Sequence, residues 1–577
     1  MRNAEIATAL DELADLYELD GAVVYRVVAY RQAARSIRDS PRSVAQLAAE
    51  GKATELAHVG KTLQEKINAL LETGKIPAAV KLRKKFPGDL ARFTQIPGLG
   101  PKTARKIHDQ LGIATLDELR EAAEGGKLRS IQGLGPKAEE NILRSLEDGG
   151  GEADGESRRL LLPVVRAIGE QIVTALREHP AADRVEIAGS ARRMTDTCKD
   201  LDIVATAHDA AALTGAFKSL DLVGELKGSG EAGARMLTHN GLRVDFRVVA
   251  PNQFGNVLQH LTGSKQHNMA LREYAVRRGQ HVSEYGIEDD SDGTKHTCET
   301  EQEVYALLGL DYIEPELREG RGELKAAIEH TLPELITLKD LEGDLHCHTT
   351  LSDGHDSLEE MARAAQERGY SYLAITDHSS TFGFGMDVQA DELKRQVEKI
   401  RELNAGMRGF RLLAGSEVNI QLDGSPDYDD EVLEGLDWVI ASIHSSFRMG
   451  EKRMTERMMT AMDHPLIDAI GHPTGRKILS RDPYAIDMER VIAHAAETGT
   501  MLEIDAGTDR RDLSDLHARA AAEAGAMIVI DSDAHRTSTL EYIEYGVATG
   551  RRAWLTREQV ANTRPWKELD KLRKRRR

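Results

Sequence analysis

Two periodicities divide the chain. Up to about residue 147 the pattern is helical, with turns at Gly51, Gly74, Pro87-Gly88 and Gly125-Gly126, and Ile6 to Leu19 reads as an amphipathic helix carrying several acids. Gly-rich, acidic residues Asp148 to Ser157 follow as a linker or loop. A mixed pattern comes next: a helix from about Leu160 to Arg177, a strand Val185 to Ala188, an apolar run ending Leu201-Asp202-Ile203-Val204, and a strand-like run Leu242 to Val249. From about Glu342 short apolar strands alternate with helices, and the strands end in His, Asp or Glu. They close on His346-Cys347-His348, Asp377-His378, Glu417, His444, His472, Glu503 and Asp533-Ala534-His535. Repeated βα units predict a parallel barrel, here of seven strands and distorted, with polar strand ends marking the catalytic face.

Bulk properties narrow the classes. A chain of 577 residues exceeds one ordinary core, so three or four domains are expected. Hydrophobic content of 40% and charged content of 30% suit a globular protein. The N-terminal helix does not read as a signal sequence, and no run of about 20 apolar residues suggests a membrane span. Three scattered cysteines, Cys198, Cys298 and Cys347, argue against a disulfide framework and for a reducing cytoplasm. The net charge of −19 excludes a protein that coats DNA by bulk electrostatics. Local phosphate contacts remain open to it, with basic patches at Lys81 to Lys85 and Lys571 to Arg577. The latter is expected to be a solubilising, disordered tail.

The first candidate chemistry lies in Gly189-Ser190-Ala191-Arg192-Arg193 and Asp200-Leu201-Asp202. Alternate strand residues share a face, so Asp200 and Asp202 present their carboxylates together, and Asp245 supplies a third from the later strand. Hard oxygen ligands of this kind hold Mg²⁺. Gly189 permits close backbone approach to a phosphate, and Ser190 with Arg192 or Arg193 can neutralise a triphosphate. An isolated Asp-x-Asp is weak evidence and more often an ordinary half-buried strand; the preceding turn and the third aspartate favour the metal site.

The second is the set His346, His348, Asp353, His378, Glu417, His444, His472, Asp533 and His535. Imidazole and carboxylate together suit Zn²⁺, Mn²⁺ or Fe²⁺. Nine ligands are too many for one ion and fit two or three, with a carboxylate such as Glu417 bridging. Arg476 is a candidate phosphate clamp.

A third pattern repeats in the helical region. Ile96-Pro97-Gly98-Leu99-Gly100-Pro101-Lys102 is echoed by Ile131-Gln132-Gly133-Leu134-Gly135-Pro136-Lys137, with a degenerate copy at His58-Val59-Gly60-Lys61. These resemble helix-hairpin-helix motifs. Glycines make a tight hairpin, and the next helix opens with free backbone N–H groups, which attract a phosphate without reading sequence.

The palm pattern of Gly-Ser-x-Arg-Arg, Asp-x-Asp and a third strand aspartate resembles nucleotidyltransferases, specifically the X family of DNA polymerases, relatives of DNA polymerase beta. That resemblance implies a two-metal palm in which Asp200 and Asp202 bridge both ions, Asp245 serves mainly one, and Arg243 lies near the primer terminus. Val28-Ala29-Tyr30-Arg31-Gln32-Ala33-Ala34-Arg35 resembles the opening of the family's small N-terminal domain, making Arg26, Tyr30, Arg31 and Lys61 candidates for holding a 5′-phosphate. Lys66 aligns with the lysine that forms a Schiff base in some members, although Thr62 stands where those members carry another lysine. His260 to Asn268 resembles the nucleotide-binding turn of the thumb, with Gly263 and Ser264 beneath the incoming nucleotide and Asn268 at the minor-groove edge. His260 and Leu261 replace the Tyr-Phe pair that senses the sugar. The Asp-Leu-His-x-His…Ser-Asp-Gly opening of the barrel resembles the PHP (polymerase and histidinol phosphatase) superfamily, with all nine ligand positions filled. After Glu503-Ile504 the family's Asn-containing turn is replaced by Asp505-Ala506-Gly507-Thr508-Asp509.

The expected architecture is therefore multidomain. Residues 1–80 form a lyase-like helical domain and 81–147 a helix-hairpin-helix subdomain, both all-α. Residues 158–255 form an α+β palm, 256–319 a thumb, and 336–577 an α/β distorted (β/α)7 PHP barrel. The expected function is gap-filling DNA synthesis in repair with a 3′–5′ exonuclease, using Mg²⁺ or Mn²⁺ in the palm and two or three Mn²⁺ or Zn²⁺ in the barrel. Expected partners are gapped or nicked DNA and dNTPs, bound by a monomer. A fused small-molecule phosphatase and a DNA-break scaffold are the alternative readings.

Overall fold

A computed structural model describes residues 1–86, 90–94, 96, 99–131, 134–147, 159–381 and 387–574. The chain forms two compact units: residues 1–160, 164–187 and 199–250, and residues 161–163, 188–198 and 251–577. The expected linker Asp148 to Ser157, Gly98 and Gly133 lie outside the described residues.

In the first unit helices α1 (Asn3–Leu19) and α2 (Val24–Asp39) share a core of Ile6, Leu10, Leu13, Ala33 and Ile37. They are followed by α3 (Lys61–Thr73), α4 (Pro101–Leu111) and α5 (Pro136–Glu147). Pro101 and Pro136 open α4 and α5, where a missing N–H costs no hydrogen bond. Before residue 160 the described regular elements are helical, as the periodicity predicts.

A five-stranded sheet completes this unit: β1 (Ala182–Ile187), β2 (Asp200–Ala207), β3 (Val223–Gly230), β4 (Gly233–Thr238) and β5 (Arg243–Val248), in the order β1-β2-β5-β4-β3. Strands β2 and β5 are parallel; the other pairs are antiparallel. Buried Leu201, Ile203, Val244 and Phe246 anchor the two central strands and fix their register.

The second unit holds α6 (Phe254–Thr262), α7 (Lys265–Val276) and the barrel. Seven parallel strands follow one another in chain order: β6 (Gly343–Asp344), β7 (Tyr372–Ile375), β8 (Arg411–Asn419), β9 (Trp438–Ser442), β10 (Ala469–Ile470), β11 (Met501–Asp505) and β12 (Ile528–Asp531). Cys347 bridges Ala534 in parallel, joining the last strand to the first. Two buried carboxylates support this closure, Asp531 accepting from Leu345 N at 2.8 Å and Asp344 from Ser532 N at 3.2 Å. The interior is filled by Leu345, Tyr372, Leu413, Trp438, Ile440 and Val529, so the barrel is a packed core rather than a pore. All three cysteines are buried and outside any disulfide.

The basic C-terminal tail departs from expectation. Arg573 is buried against Asp468 at 3.0 Å, and Lys574 Nζ donates to the carbonyls of Met462 and His464. The basic side chains neutralise a buried carboxylate and carbonyls at the barrel's N-terminal end, so the described tail residues dock instead of floating.

Beside α6 a fully buried Arg318 pairs with Glu301 at 2.5 Å, and Arg192 meets the same carboxylate at 2.6 Å. Burial pushes Glu301 up, but the two guanidinium groups outweigh it and hold the carboxyl at about 2. A depressed folded-state pKa gives stability that is complete above the ordinary 4.5 and is lost as pH falls towards 2. Glu301→Gln is expected to lower unfolding stability by about 3 kcal/mol and to remove this part of the acid dependence, as checked by urea denaturation from pH 7 down to 3.

Candidate catalytic centres and nucleotide turn

In the first unit the parallel register of β2 and β5 sets Asp202 opposite Asp245 and Asp200 opposite Arg243. Asp200 and Asp202 alternate with buried Leu201 and Ile203, so the two carboxylates share the less buried face. Burial raises Asp202 to about 7, with the charges of Asp200 and Asp245 adding to the effect. Three crowded carboxylates of which one is driven towards neutrality fit a divalent cation, which would restore all three to the ionised form. Arg243 donates to Asp200 at 2.6 Å. Arg235, which the sequence reading did not single out, donates to Asp245 at 2.9 Å. Only the cross-strand register reveals that contact.

The glycine-capped helix starts also belong to this unit. A Cβ added at Gly60, Gly100 or Gly135 would meet open space, so internal packing does not require these glycines. Lys137 is exposed, and the side chain of Lys102 lies outside the described residues. Two expectations for the N-terminal domain change. Tyr30 is buried, its ring 5.3 Å from that of Tyr17, because it faces the core of α1 and α2. Arg31 is drawn into ion pairs with Asp15 at 3.1 Å and Glu18 at 2.6 Å. Arg26 stacks over Tyr17 at 5.3 Å, Lys61 and Thr62 are exposed, and Lys66 is half-buried.

The turn Gly189–Arg192 is a single helical turn in the second unit, with Gly189 at φ +66°. Thr195 donates to the Ser190 carbonyl from both its amide and its hydroxyl, at 3.2 Å each. Both arginines expected to meet a triphosphate are engaged within the protein. Arg192 donates to Thr262 Oγ1 at 2.7 Å and pairs with Glu301, while Arg193 pairs with Glu319 at 3.0 Å and donates to the Thr262 carbonyl. Half-buried and buried carboxylates nearby claim both guanidinium groups. Gly263 adopts φ +68°, and Ser264 Oγ caps α7 by accepting from His267 N at 3.2 Å. Asn268 donates to the His260 carbonyl at 2.7 Å and accepts from Gln259 at 2.9 Å. Its amide is therefore engaged along α6.

At the barrel's C-terminal end the nine expected ligands converge. Glu417 lies at the middle, reaching His378 and His472 at 2.9 Å, His444 at 3.2 Å, His346 at 3.4 Å and His348 at 3.7 Å. Asp353 meets His535 at 3.2 Å and His378 at 3.5 Å; Asp533 meets His348 at 3.1 Å. Three groups have donor atoms close enough to share an ion: His348, Asp353, His378 and His535; His346, His348 and Asp533; His378, Glu417 and His444. The donor set fits metal on two grounds. Nε2 of His346 and Nδ1 of His348 and His472 are buried with no hydrogen-bond partner. Burial also pushes His348 down to about 4 and His472 to about 3, leaving neutral imidazoles with free lone pairs. For Glu417 burial acts upward, but His444, His378 and His346 outweigh it and hold the carboxyl well below its usual range.

Supporting groups orient these ligands, and of them the sequence reading left out Asn419. Glu503 accepts from His346 Nδ1 at 2.6 Å, Asn419 meets His444 Nδ1 at 2.5 Å, and the Asp533 carbonyl meets His535 Nδ1 at 2.8 Å. His472 and Asp533 take left-handed backbone, φ 28° and 50°, a strain characteristic of functional positions. A cavity of about 360 Å³ opens above them, lined also by Lys477, Gly507, Asp509 and Arg510. Arg510 lies 3.2 Å from Asp505 and 3.7 Å from Asp533. It supplies the cationic wall expected of Arg476. Arg476 instead donates to the carbonyls of Arg510 and Arg511 and pairs with Asp196 at 2.9 Å, because backbone acceptors on the neighbouring loop hold it away.

A polymerase-type palm sheet on the same chain as a His- and carboxylate-rich seven-stranded barrel defines a two-module phosphoryl-transfer class. Family models agree with it: a helix-hairpin-helix domain over residues 1–76, a SAM-like helix-hairpin-helix tandem over 90–148, a DNA polymerase beta thumb over 257–319 and a PHP domain over 344–505. The chain is 37% identical to the Bacillus subtilis protein named DNA polymerase/3′-5′ exonuclease PolX, over the full length of both. It is 26% identical to Rattus norvegicus DNA polymerase lambda over 55% of this chain and 56% of that one. A Thermoanaerobacter protein named "Probable phosphatase" is 32% identical over 41% of this chain and 95% of its own length. The chain belongs to the bacterial X-family DNA polymerases that carry a C-terminal PHP domain. Among the described residues no helix is long and apolar enough to cross a membrane.

Mn²⁺ at about 100 times its dissociation constant is expected to stabilise the barrel by about 2.7 kcal/mol, a rise in melting temperature of roughly 5–10 °C. Glu417→Gln should abolish most of that rise in calorimetry and lower the bound Mn²⁺ per chain; an unchanged metal content would show that Glu417 holds no ion.

Proposed function

We propose that the protein fills short gaps in DNA by template-directed addition of dNTPs during base-excision-type repair, and that its PHP centre trims 3′ ends and incises abasic sites. One observation carries this reading: a single chain bears a three-carboxylate palm and a barrel end where nine His, Asp and Glu side chains converge, together with glycine-opened helices whose Cβ positions face open space. In the palm Asp200, Asp202 and Asp245 would hold Mg²⁺ or Mn²⁺, which lowers the pKa of a primer 3′-OH and stabilises the departing pyrophosphate. Arg243 would sit by the primer terminus, and the amide and hydroxyl of Ser190 by the triphosphate. Gly60, Gly100 and Gly135 leave the backbone accessible to DNA phosphates, with Lys137 alongside.

In the barrel two or three Mn²⁺ or Zn²⁺ would be held by His346, His348, Asp353, His378, Glu417, His444, His472, Asp533 and His535. Such ions supply a nucleophilic water at neutral pH. The protein's own part is to orient the imidazoles through Glu503 and Asn419 and to offer Arg510 to a phosphodiester. Lys66 is the candidate for a 5′-deoxyribose phosphate lyase. A monomer acting in the cytoplasm completes this reading.

The likeness to the Thermoanaerobacter protein favours a second reading of the barrel, as a small-molecule phosphatase. Hydrolysis of histidinol phosphate compared with that of a 3′-ended oligonucleotide separates the two.

Asp200→Ala with Asp202→Ala is expected to lower extension of a one-nucleotide-gapped duplex by at least about a thousandfold while 3′ trimming persists. His346→Ala with His348→Ala should reverse that pattern. Loss of both activities in either folded double variant would show that the two centres are not separate.

A further inference from the structure

The nucleotide turn is not held by palm residues alone within its unit; barrel arginines grip its backbone. Arg511 Nη2 donates to the Met194 carbonyl at 2.9 Å, and its Nη1 lies 3.3 Å from Asp196. Arg552 Nη1 donates to the Arg193 carbonyl at 2.8 Å and also to Glu319, the carboxylate that pairs with the Arg193 side chain. Arg476 completes the hold on Asp196. We infer that Arg511 is a positioning residue for nucleotidyl transfer, a side chain of the PHP barrel that fixes the turn carrying Ser190, Arg192 and Arg193. This rests on the reading of that turn as the triphosphate site.

Three features separate this contact from ordinary packing. Arg511 is 0% exposed. A charge so placed is costly unless partners offset it, and here Thr549 Oγ1 takes Nε at 2.9 Å, the Met194 carbonyl takes Nη2, and the Asp196 carboxylate lies 3.3 Å from Nη1. Both ends of the contact are non-glycine residues with left-handed backbone, Met194 at φ 57° and Arg511 at φ 45°. Such conformations persist only where the surroundings enforce them. Met194 directly follows the arginine pair, so the hydrogen bond to its carbonyl fixes the direction in which the turn leaves Ser190 and Arg193. Finally, the adjacent guanidinium, Arg510, lies against Asp505 and Asp533 and lines the barrel cavity. Two consecutive side chains thus serve the two modules, and only Arg511 is committed to the polymerase side. Displacement of a group that holds the substrate alike in the ground and transition states weakens binding and leaves the rate of the bound complex nearly unchanged.

The test uses the full-length protein on a one-nucleotide-gapped duplex with dNTP titration, alongside 3′ trimming of a single-stranded oligonucleotide. Arg511→Met is expected to raise the dNTP KM about tenfold, the scale of one lost charge-assisted hydrogen bond. Its kcat and its trimming rate should stay within about twofold. Arg511→Lys should recover part of the loss. Asp196→Asn weakens the same tie without altering the barrel and should raise KM in the same direction. An unchanged KM in Arg511→Met overturns the inference. So does a parallel fall of both activities in Arg511→Met and Asp196→Asn, which would mark a purely structural role. Ser190→Ala isolates the underlying reading: if it leaves the dNTP KM unchanged, the turn does not hold the triphosphate. If Ser190→Ala raises KM and Arg511→Met does not, only the role of Arg511 falls.

Discussion

Five imidazoles surround the Glu417 carboxylate within 3.7 Å, and the barrel's catalytic face is arranged around that contact. A fully buried carboxylate is unstable by itself. Here the cost is offset by ring nitrogens arriving from four different strand ends, His346 and His348 sharing one, which is possible only because parallel strands deliver their C-termini to one side. Supporting acceptors then fix each ring: Glu503 for His346, Asn419 for His444, the Asp533 carbonyl for His535. The left-handed backbone at His472 and Asp533 follows from the same demand, since both side chains must turn inward just past the ends of short strands.

The palm solves a different electrostatic problem. Its three carboxylates have no imidazole partners, and arginines meet Asp200 and Asp245 from the side. Asp202, raised by burial and by the charges of Asp200 and Asp245, is left to approach neutrality. An oxygen-only set suits a hard ion with retained waters, whereas the mixed nitrogen and oxygen set of the barrel suits transition metals. The two donor sets thus differ in the class of cation they suit.

Arginine is the recurring structural device. Arg318, Arg511 and Arg573 are almost wholly buried, and each spans more than one acceptor. The planar guanidinium presents several donors in fixed directions, which lets an acidic chain with a net charge of −19 tie its loops together internally. The basic tail follows the same logic, with Arg573 and Lys574 ending against a buried carboxylate and carbonyl oxygens.

Much of this was legible in residue order. Alternation places Asp200 and Asp202 on one face, short apolar runs ending in His, Asp or Glu announce seven barrel strands and their ligands, and repeated glycine hairpins mark the helix starts. These follow from local periodicity, which a chain carries in one dimension. The destinations of Arg192, Arg193, Arg235, Arg476, Arg510, Arg511 and Asn268 were not legible. A long polar side chain can turn either way from its Cα, and its partner is whichever acceptor the folded chain brings within reach, often more than a hundred residues away in sequence. Residue types and spacing therefore determined which donor side chains stand at which strand ends; three-dimensional packing alone decided which cationic side chains line the barrel cavity and which are spent holding the turns in place.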